Sequence, residues 1–168
     1  MSLRDVPQPG AIPASSCLSE DALDPGTTKH FEGAFTQGSG YMHIRGCHEE
    51  GLAAAPQAET YMRLPANVTL EKPRHPRSKR GTYVPGVTGR HPLLREELVN
   101  LPWLLELTVR ANEEPLDMDA CRIQDYHRVL DLRDAVLWRT FTWHTRSGAV
   151  LRASYRRYVS RARANICV

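Results

Sequence analysis

The fold is decided near the end of the chain by two apolar and aromatic runs on either side of a turn. They read Leu137-Trp138-Arg139-Thr140-Phe141-Thr142-Trp143-His144 and Ala149-Val150-Leu151-Arg152-Ala153-Ser154-Tyr155-Arg156-Arg157-Tyr158-Val159, with Thr145-Arg146-Ser147-Gly148 between them. Runs rich in β-branched and aromatic residues around a glycine-containing turn predict a β-hairpin.

The first run also predicts how its strand is buried. At two-residue spacing, one face carries Leu137, Arg139, Phe141 and Trp143, and the other carries Trp138, Thr140, Thr142 and His144. Because both faces carry large apolar groups, we expect a strand packed inside a sandwich.

Shorter segments upstream favour the same fold class. Ordered structure is expected to begin near His30, and Gly38-Ser39-Gly40 predicts a tight turn into a strand over residues 41–45. Residues 81–87 predict another strand, with Pro85-Gly86 at the centre of a type II turn. Residues 102–109 fit a strand or a short helix, and their β-branched end favours the strand. With no sustained helical periodicity, the chain is predicted to be mainly β, an antiparallel β-sandwich.

The chain is expected to divide into two parts. Residues 1–26 are rich in proline and serine and predict a flexible N-terminal arm, which leaves a β-sandwich domain over residues 27–168. Residues 72–80 contain two prolines and five cations, which predict an exposed loop without a regular element. The final residues 163–168 resemble a strand that is just beginning, so we expect the domain to be incomplete at its C-terminus.

Composition excludes several classes of protein. The 168 residues contain 22 Lys and Arg against 19 Asp and Glu, a net charge of +3, which requires no polyanionic partner. No apolar stretch is long enough to span a membrane, and residues 1–5 do not lead into the apolar run of a signal peptide. The four widely spaced cysteines read as thiols in a reducing compartment, so a cytoplasmic location is expected.

Three adjacent glutamate pairs are the first candidates for chemistry, because many carbohydrate-cleaving enzymes use two carboxylates across a bond. They are Glu49-Glu50, Glu96-Glu97 and Glu113-Glu114. Neighbours on a strand point to opposite faces, so none of these pairs is expected to be an acid–base dyad. The favoured interpretation is solvated loop charges.

Spacing does not support a metal, nucleophile or phosphate site. The available metal ligands are Cys47-His48, Cys121, His43 and His30, and only the first two are close together, whereas zinc motifs place two pairs at defined spacings. There is no GxSxG nucleophile elbow. Gly38 and Gly40 would start a GxGxxG motif, but His43 occupies the position of the third glycine.

Basic and aromatic residues admit two binding hypotheses. Residues 72–80 and the five arginines between Arg152 and Arg163 could contact phosphates, but strand arginines more often pair with acids from a neighbouring element. Trp103, Trp138 and Trp143 could stack on sugars, but tryptophans in alternating strands are more often core residues.

Five sequence blocks, in order, carry a resemblance to a known family. Residues 31–51, FEGAFTQGSGYMHIRGCHEEG, resemble the opening pattern ES-x-F-x-x-GNGY-x-G-x-RG-x-x-EEG of glycoside hydrolase family 65. Residues 81–86 resemble its GTY-x-x-G block, and residues 97–102 its ELVNLP block. Residues 126–133 and 156–160 resemble Y-x-R-x-LD-x-R-x-G and RF-x-S. Three positions depart from these patterns: Ser39 replaces Asn, His43 replaces Gly, and Ala135 replaces the Gly after R-x.

The resemblance implies a part of a larger enzyme. In this family, which includes maltose, kojibiose and trehalose phosphorylases and acid trehalases, an N-terminal, galactose-mutarotase-like β-super-sandwich precedes a helical (α/α)6 barrel. A glutamate of that barrel acts as general acid in inverting cleavage of an α-glucoside disaccharide, by phosphate or by water. The chain is therefore expected to be a partial super-sandwich whose partner is the barrel of the parent enzyme. The resemblance is also compatible with a homodimer of the parent enzyme.

No catalytic, cofactor-binding or metal-ligating residue is assigned to this chain, and no cofactor, nucleic acid or membrane partner is expected. The leading hypothesis is the non-catalytic N-terminal portion of an enzyme of disaccharide metabolism. The alternatives are a standalone carbohydrate-binding or interaction β-domain and a basic nucleic-acid-associated domain. The sequence does not distinguish a hydrolase from a phosphorylase.

Overall fold

A four-stranded antiparallel sheet forms the centre of the fold. In order across the sheet its strands are β1 (Cys17–Glu20), β11 (Arg122–Asp131), β12 (Val136–His144) and β13 (Val150–Arg157). This computed structural model describes residues 12–24, 26–50, 57–58, 74–75, 78, 80–90 and 95–168. The predicted hairpin is confirmed, since β12 pairs with β13 from Leu137–Arg157 to His144–Val150.

Burial along β12 alternates strictly, whereas the sequence predicted large apolar groups packed on both faces. The face with Leu137, Phe141 and Trp143 is buried, whereas Trp138 and its neighbours on the other face are only half-buried. Leu137 packs with Phe35 and Leu130, and Phe141 and Trp143 pack with Leu116, Met118 and Tyr126. Trp143 is therefore a core residue.

Apart from the central sheet, the described residues form short paired strands and one α-helix. They are α1 (Thr28–Ala34), β2 (Gln37–Gly38), β3 (His43–Ile44), β4 (Gln57–Ala58), β5 (Arg74–His75), β6 (Thr82–Tyr83), β7 (Thr88–Gly89), β8 (Glu97–Leu98), β9 (Arg110–Ala111) and β10 (Glu114–Pro115); a 3₁₀ turn at Ala14–Ser16 precedes β1. Strand β3 pairs with both β2 and β6, β4 with β5, β7 with β8, and β9 with β10, all antiparallel. The described part of the chain is mainly β, as expected.

Two predicted turns are confirmed. Gly40 has a φ of +86° in the turn between β2 and β3. Gly86 has a φ of +84°, and the Val87 N–H donates to the Val84 carbonyl at 3.1 Å, as expected for a type II turn with glycine at its third position.

Three expectations from the sequence need correction. The flexible arm does not extend to residue 26, because β1 joins the central sheet through four register pairs with β11; residues 1–11 lie outside the described residues. Residues 72–80 do contain a regular element, since β5 pairs with β4; most of that interval also lies outside the described residues.

The third correction concerns residues 102–109, which were expected to form a strand but do not. Trp103 and Leu105 are partly buried against Met42, Ile44 and Val159, and Leu104 between them is exposed, so burial alternates as in a strand. The segment lacks a ladder, however, and its backbone contact to Glu49 is a single hydrogen bond from the Leu107 N–H, at 3.1 Å.

The turn between β11 and β12 stores strain at Ala135, the position where the family pattern has glycine. Ala135 has a φ of +55°, which only glycine adopts without steric cost. We expect Ala135→Gly to raise the free energy of unfolding by about 0.5–1 kcal/mol, as measured by urea denaturation followed by tryptophan fluorescence. Ala149→Gly, at a residue without positive φ, is the control and should bring no gain. A less stable Ala135→Gly protein would contradict this account.

Candidate functional site

Three arginines lie on the inner face of the central sheet, each on a different strand. Arg128, Arg139 and Arg157 are respectively 1%, 3% and 3% exposed. Arg128 and Arg139 are directly opposite each other on β11 and β12, an unfavourable arrangement for like charges without nearby anions. Buried cations must be paired, so their partners define the chemistry of this face.

Arg139 is held by a glutamate pair from the segment after β3. Its Nη2 donates to Glu49 Oε2 at 2.7 Å and to the two carboxylate oxygens of Glu50 at 2.7 and 2.8 Å. The guanidinium carbon lies 4.1 Å from the ring centroid of Tyr155, a favourable cation–π distance. Burial alone would lower the pKa of Arg139, but Glu49 and Glu50 raise it above its ordinary value. The prediction of solvated charges is therefore wrong for Glu49 and Glu50.

Arg157 shares Glu49 with Arg139. Its Nη1 donates to Glu49 Oε1 at 3.1 Å and to the Cys47 carbonyl at 3.0 Å, and its Nε donates to Gln37 Oε1 at 3.1 Å. The Gln37 amide then donates to the carbonyl of Ala135 at 2.7 Å. Burial lowers the pKa of Arg157, and Glu49 opposes this effect.

Arg128 binds a carboxylate from the first strand. Its Nε donates to Glu20 Oε2 at 2.8 Å, its Nη1 donates to the Gly46 carbonyl at 2.6 Å, and its guanidinium carbon lies 4.6 Å from the Phe35 ring centroid. Together, three glutamates balance three arginines; we call Glu20, Glu49, Glu50, Arg128, Arg139 and Arg157 the buried ion cluster.

A hydrogen-bonded chain extends the cluster to His48. Tyr126 Oη donates to Glu20 Oε2 at 2.9 Å, and His48 Nε2 lies 2.8 Å from Tyr126 Oη. Because the Tyr126 proton is committed to Glu20, His48 must donate from Nε2 and leave Nδ1 without a proton. Burial, then the charges of Arg139, Arg128 and Arg157, hold the pKa of His48 well below its ordinary value.

His48 should make stability depend on pH. Because the pKa of His48 is lower in the folded protein than in the unfolded chain, the unfolded chain binds more protons below about pH 6.5. The free energy of unfolding therefore falls as the pH drops from 7 to 5. We expect His48→Gln to make the decline between pH 6.5 and 5 shallower by up to about 1.4 kcal/mol per pH unit. Urea denaturation across that pH range measures this slope. The matched control is His144→Gln, on the half-buried face of β12. Equal slopes for wild type and His48→Gln would contradict the assignment.

The other glutamate pairs lie outside the cluster. Glu96, Glu97 and Glu113 are exposed, which confirms the prediction for them. Glu114 is half-buried, and its Oε2 accepts a hydrogen bond from the Arg146 N–H at 2.7 Å. The structure therefore brings only Glu49 and Glu50 of the three pairs into one buried site.

The residues considered as metal ligands, whose spacing did not support a metal site, do not come together in the described part of the chain. Within the described part of the chain, no group of three or more His, Cys, Asp or Glu side chains is placed to hold a metal ion. His48 is committed to Tyr126, and burial followed by the charge of Glu32 raises the pKa of Cys47 to about 12, so its thiol stays protonated. The four cysteines form no disulfide with one another.

Two surface hollows flank the sheet. One, of about 400 Å³, lies beside a bulge in β11 between Gln124 and His127, and its lining includes Asp21, Asp119 and Asp125. The other, of about 240 Å³, lies along β13 and is lined by Glu49, Leu104, Leu105, Glu106, Leu107, Tyr155, Arg156, Arg157 and Val168.

The carboxylates of Glu49 and Glu50 are both paired with Arg139 and leave no space between them. The side chain of Glu50 is 1% exposed, and Glu49 and Glu50 share the same Arg139 nitrogen, so a sugar cannot insert between them. The sequence signal for this site was Arg139, because two-residue spacing places it on the same strand face as the apolar Leu137, Phe141 and Trp143.

Comparison with known proteins decides the family. The family model described as "Glycosyl hydrolase family 65, N-terminal domain" matches residues 18–168. The chain belongs to glycosyl hydrolase family 65. The match begins at residue 18, next to the first residue of β1, and includes every member of the buried ion cluster.

The relatives of this family 65 chain are much longer than it is. A kojibiose phosphorylase of Halothermothrix orenii is 25% identical over 149 residues, which are 89% of this chain and 16% of the relative. A kojibiose phosphorylase of Caldanaerobacter subterraneus is 28% identical over 132 residues, covering 79% and 14%. One from Escherichia coli is 26% identical over 146 residues, covering 85% and 16%.

A solved structure supports the family 65 fold. The protein described as "Putative kojibiose phosphorylase from human microbiome" superposes with a TM-score of 0.67 at 20% sequence identity, over 88% of this chain and 18% of that chain. The likeness shows the fold. No helix in the described part of our chain combines the length and hydrophobicity that crossing a bilayer requires.

Proposed function

We propose that this chain serves as the non-catalytic N-terminal β-sandwich portion of an enzyme that cleaves an α-glucoside disaccharide with phosphate. The observation that carries the proposal is the family match over residues 18–168, together with alignments that cover most of this chain but only 14–16% of the kojibiose phosphorylases compared. Those relatives favour kojibiose as the substrate and phosphorolysis over hydrolysis. The remaining part of such an enzyme would supply the helical barrel and its catalytic glutamate.

The buried ion cluster supports a structural role. Its carboxylates are neutralised by arginines and closed to substrate, so the chain holds a rigid scaffold without a free acid–base pair in the cluster.

The absence of disulfides among the four cysteines supports a cytoplasmic location, since thiols persist in a reducing compartment.

A chimera tests this function. The segment of the Escherichia coli kojibiose phosphorylase that aligns with this chain is replaced by the chain itself, and glucose 1-phosphate release from kojibiose and phosphate is measured. We expect turnover by the chimera and none by the isolated chain. A chimera carrying Arg139→Met is the control and should lose activity through loss of folding.

Two outcomes would overturn the proposal. Turnover of kojibiose by the purified chain alone would show that it carries catalytic residues. A chimera that is folded by circular dichroism and elutes like the parent enzyme, yet releases no glucose 1-phosphate, would show that this sandwich does not fulfil the role in a phosphorylase.

A further inference from the structure

The segment after β3 is attached to the central sheet by side chains and not by a strand ladder. Residues 46–50, which we call the strap, belong to no strand, and two backbone hydrogen bonds join them to other described residues. The Gly46 N–H donates to the Glu32 carbonyl at 2.8 Å, and the Leu107 N–H donates to the Glu49 carbonyl at 3.1 Å. Neither bond reaches the central sheet, so the strap can leave the sheet without breaking its ladder.

The three arginines of the buried ion cluster make the attachment between strap and sheet. Arg128 donates to the Gly46 carbonyl at 2.6 Å, and Arg157 donates to the next carbonyl of the strap at 3.0 Å. Arg139 binds both glutamate side chains of the strap. Of the five strap residues only Cys47 buries an apolar side chain, so release of the strap exposes mainly polar and charged groups that water can solvate.

His48 is the one strap side chain whose closed position leaves no place for a second proton. Its Nε2 already carries a proton, which it donates to the Tyr126 hydroxyl at 2.8 Å. A second proton would therefore go to Nδ1, which is buried and has no hydrogen-bond partner among the described residues. A buried N–H group without an acceptor is destabilising.

The charges around His48 also oppose a second proton. The titratable and charged groups around it are Tyr126 and Arg128 on β11, Arg139 on β12, Arg157 on β13, Glu20 on β1, and Glu49 and Glu50 in the strap itself. All three carboxylates are already bound by arginines. Because three negative charges balance three positive ones, a proton on His48 would leave one positive charge in excess.

We propose that the strap is an acid-sensitive switch, in which protonation of His48 releases residues 46–50 from the central sheet while the four strands of the sheet stay paired. In the released state water solvates the imidazolium, the strap glutamates and the arginines of the sheet. The released state binds a proton that the closed state excludes, so acid shifts the equilibrium toward release.

Amide hydrogen exchange of the whole chain, read by NMR at pH 7 and pH 5.5, tests the proposal. The reporters are the amides of Gly46 and Leu107, whose hydrogen bonds hold the strap, and the references are those of Phe141 and Ala153, which pair in the β12–β13 ladder. Protection is the observed exchange rate relative to the intrinsic rate at the same pH. Between pH 7 and 5.5, protection of the reporters should fall about eightfold, as expected when a histidine of pKa near 6.5 titrates only in the released state.

Urea distinguishes release of the strap from unfolding of the whole domain, which also exposes His48. The effect of urea on an opening reaction grows with the surface that the reaction exposes. Between 0 and 1 M urea at pH 5.5, protection of Gly46 and Leu107 should change by less than about twofold. Phe141 and Ala153 should be better protected throughout and lose at least about fivefold of their protection over the same range.

Two variants identify the group that titrates. His48→Gln keeps a side-chain N–H for Tyr126 but does not titrate, so it should retain the protection of Gly46 and Leu107 and lose the eightfold effect of pH. The matched control His144→Gln, on the half-buried face of β12, should keep that effect. The comparison of reporters and references in the wild-type protein requires neither variant to fold.

Three results would overturn the proposal. The first is equal protection of the reporters at pH 7 and pH 5.5. The second is a urea dependence of Gly46 and Leu107 that matches that of Phe141 and Ala153, because the strap would then open only with the whole domain. The third is an unchanged pH effect in folded His48→Gln protein, which would assign the switch to another group.

Discussion

Arg139→Met should unfold the protein or cost about 3–5 kcal/mol of stability. The change leaves the Glu49 and Glu50 carboxylates inside the protein without their shared counter-ion, and one buried uncompensated charge is already strongly destabilising. A domain of this size is stabilised by only about 5–15 kcal/mol in total. Urea denaturation at pH 7, followed by circular dichroism, measures the loss.

A compensated variant separates the loss of charge balance from the loss of packing. Arg139→Met combined with Glu49→Gln and Glu50→Gln removes the unpaired carboxylates and should recover much of the lost stability, although Arg157 then loses its acidic partner. The surface control is Arg152→Met, an exposed arginine of β13, which should change stability by less than about 0.5 kcal/mol. An Arg139→Met protein within 1 kcal/mol of wild type, on the scale of an exposed ion pair, would contradict the buried ion cluster.

Arg128→Met should have the second-largest effect, also about 3–5 kcal/mol. The change leaves Glu20 unpaired and the Gly46 carbonyl without its donor, and it removes the cation above Phe35. Because Glu20 is the last residue of β1, the loss should be concentrated at that edge of the sheet. Urea denaturation gives the total cost.

Hydrogen exchange gives the location of that damage. In folded Arg128→Met protein, the amides of β1 should exchange faster while those of the β12–β13 hairpin stay protected. Arg122→Met, an exposed arginine on the same strand β11, is the matched control. Glu20→Gln should cost less than Arg128→Met, because the amide keeps an oxygen acceptor for Arg128 and Tyr126. A uniform change in exchange across all four strands would contradict the link between Arg128 and β1.

The hairpin could be predicted because its determinants are local. Alternation of Leu137, Phe141 and Trp143 and the glycine in the turn act within about twenty residues, so the positions of the two strands followed from the sequence. Which face is buried did not, because both faces carry large apolar groups. The same reasoning failed at residues 102–109, which alternate in burial but have no strand beside them. Burial can be read from the pattern of side chains, whereas pairing depends on a partner elsewhere in the chain.

For the buried ion cluster, the sequence indicates the position of one arginine but not the carboxylates that pair with it. Alternation placed Arg139 on an apolar face, and this position already required a buried carboxylate. Which carboxylate fills that role depends on contacts such as that between Glu20 and Arg128, 108 residues apart. The rule that adjacent glutamates diverge also failed, because Glu49 and Glu50 lie outside any strand and both reach Arg139.

The acidic and basic residues of the buried ion cluster lie far apart in the sequence, and their order also determines when the cluster can form during synthesis. Glu20, Glu49 and Glu50 leave the ribosome first, and Arg157 leaves last among the six. Until that arginine emerges, the acidic residues lack a complete set of counter-ions and the early segments have no finished sheet to cover. These acidic residues therefore stay hydrated until β13 emerges, and pairing of β12 with β13 completes the buried ion cluster.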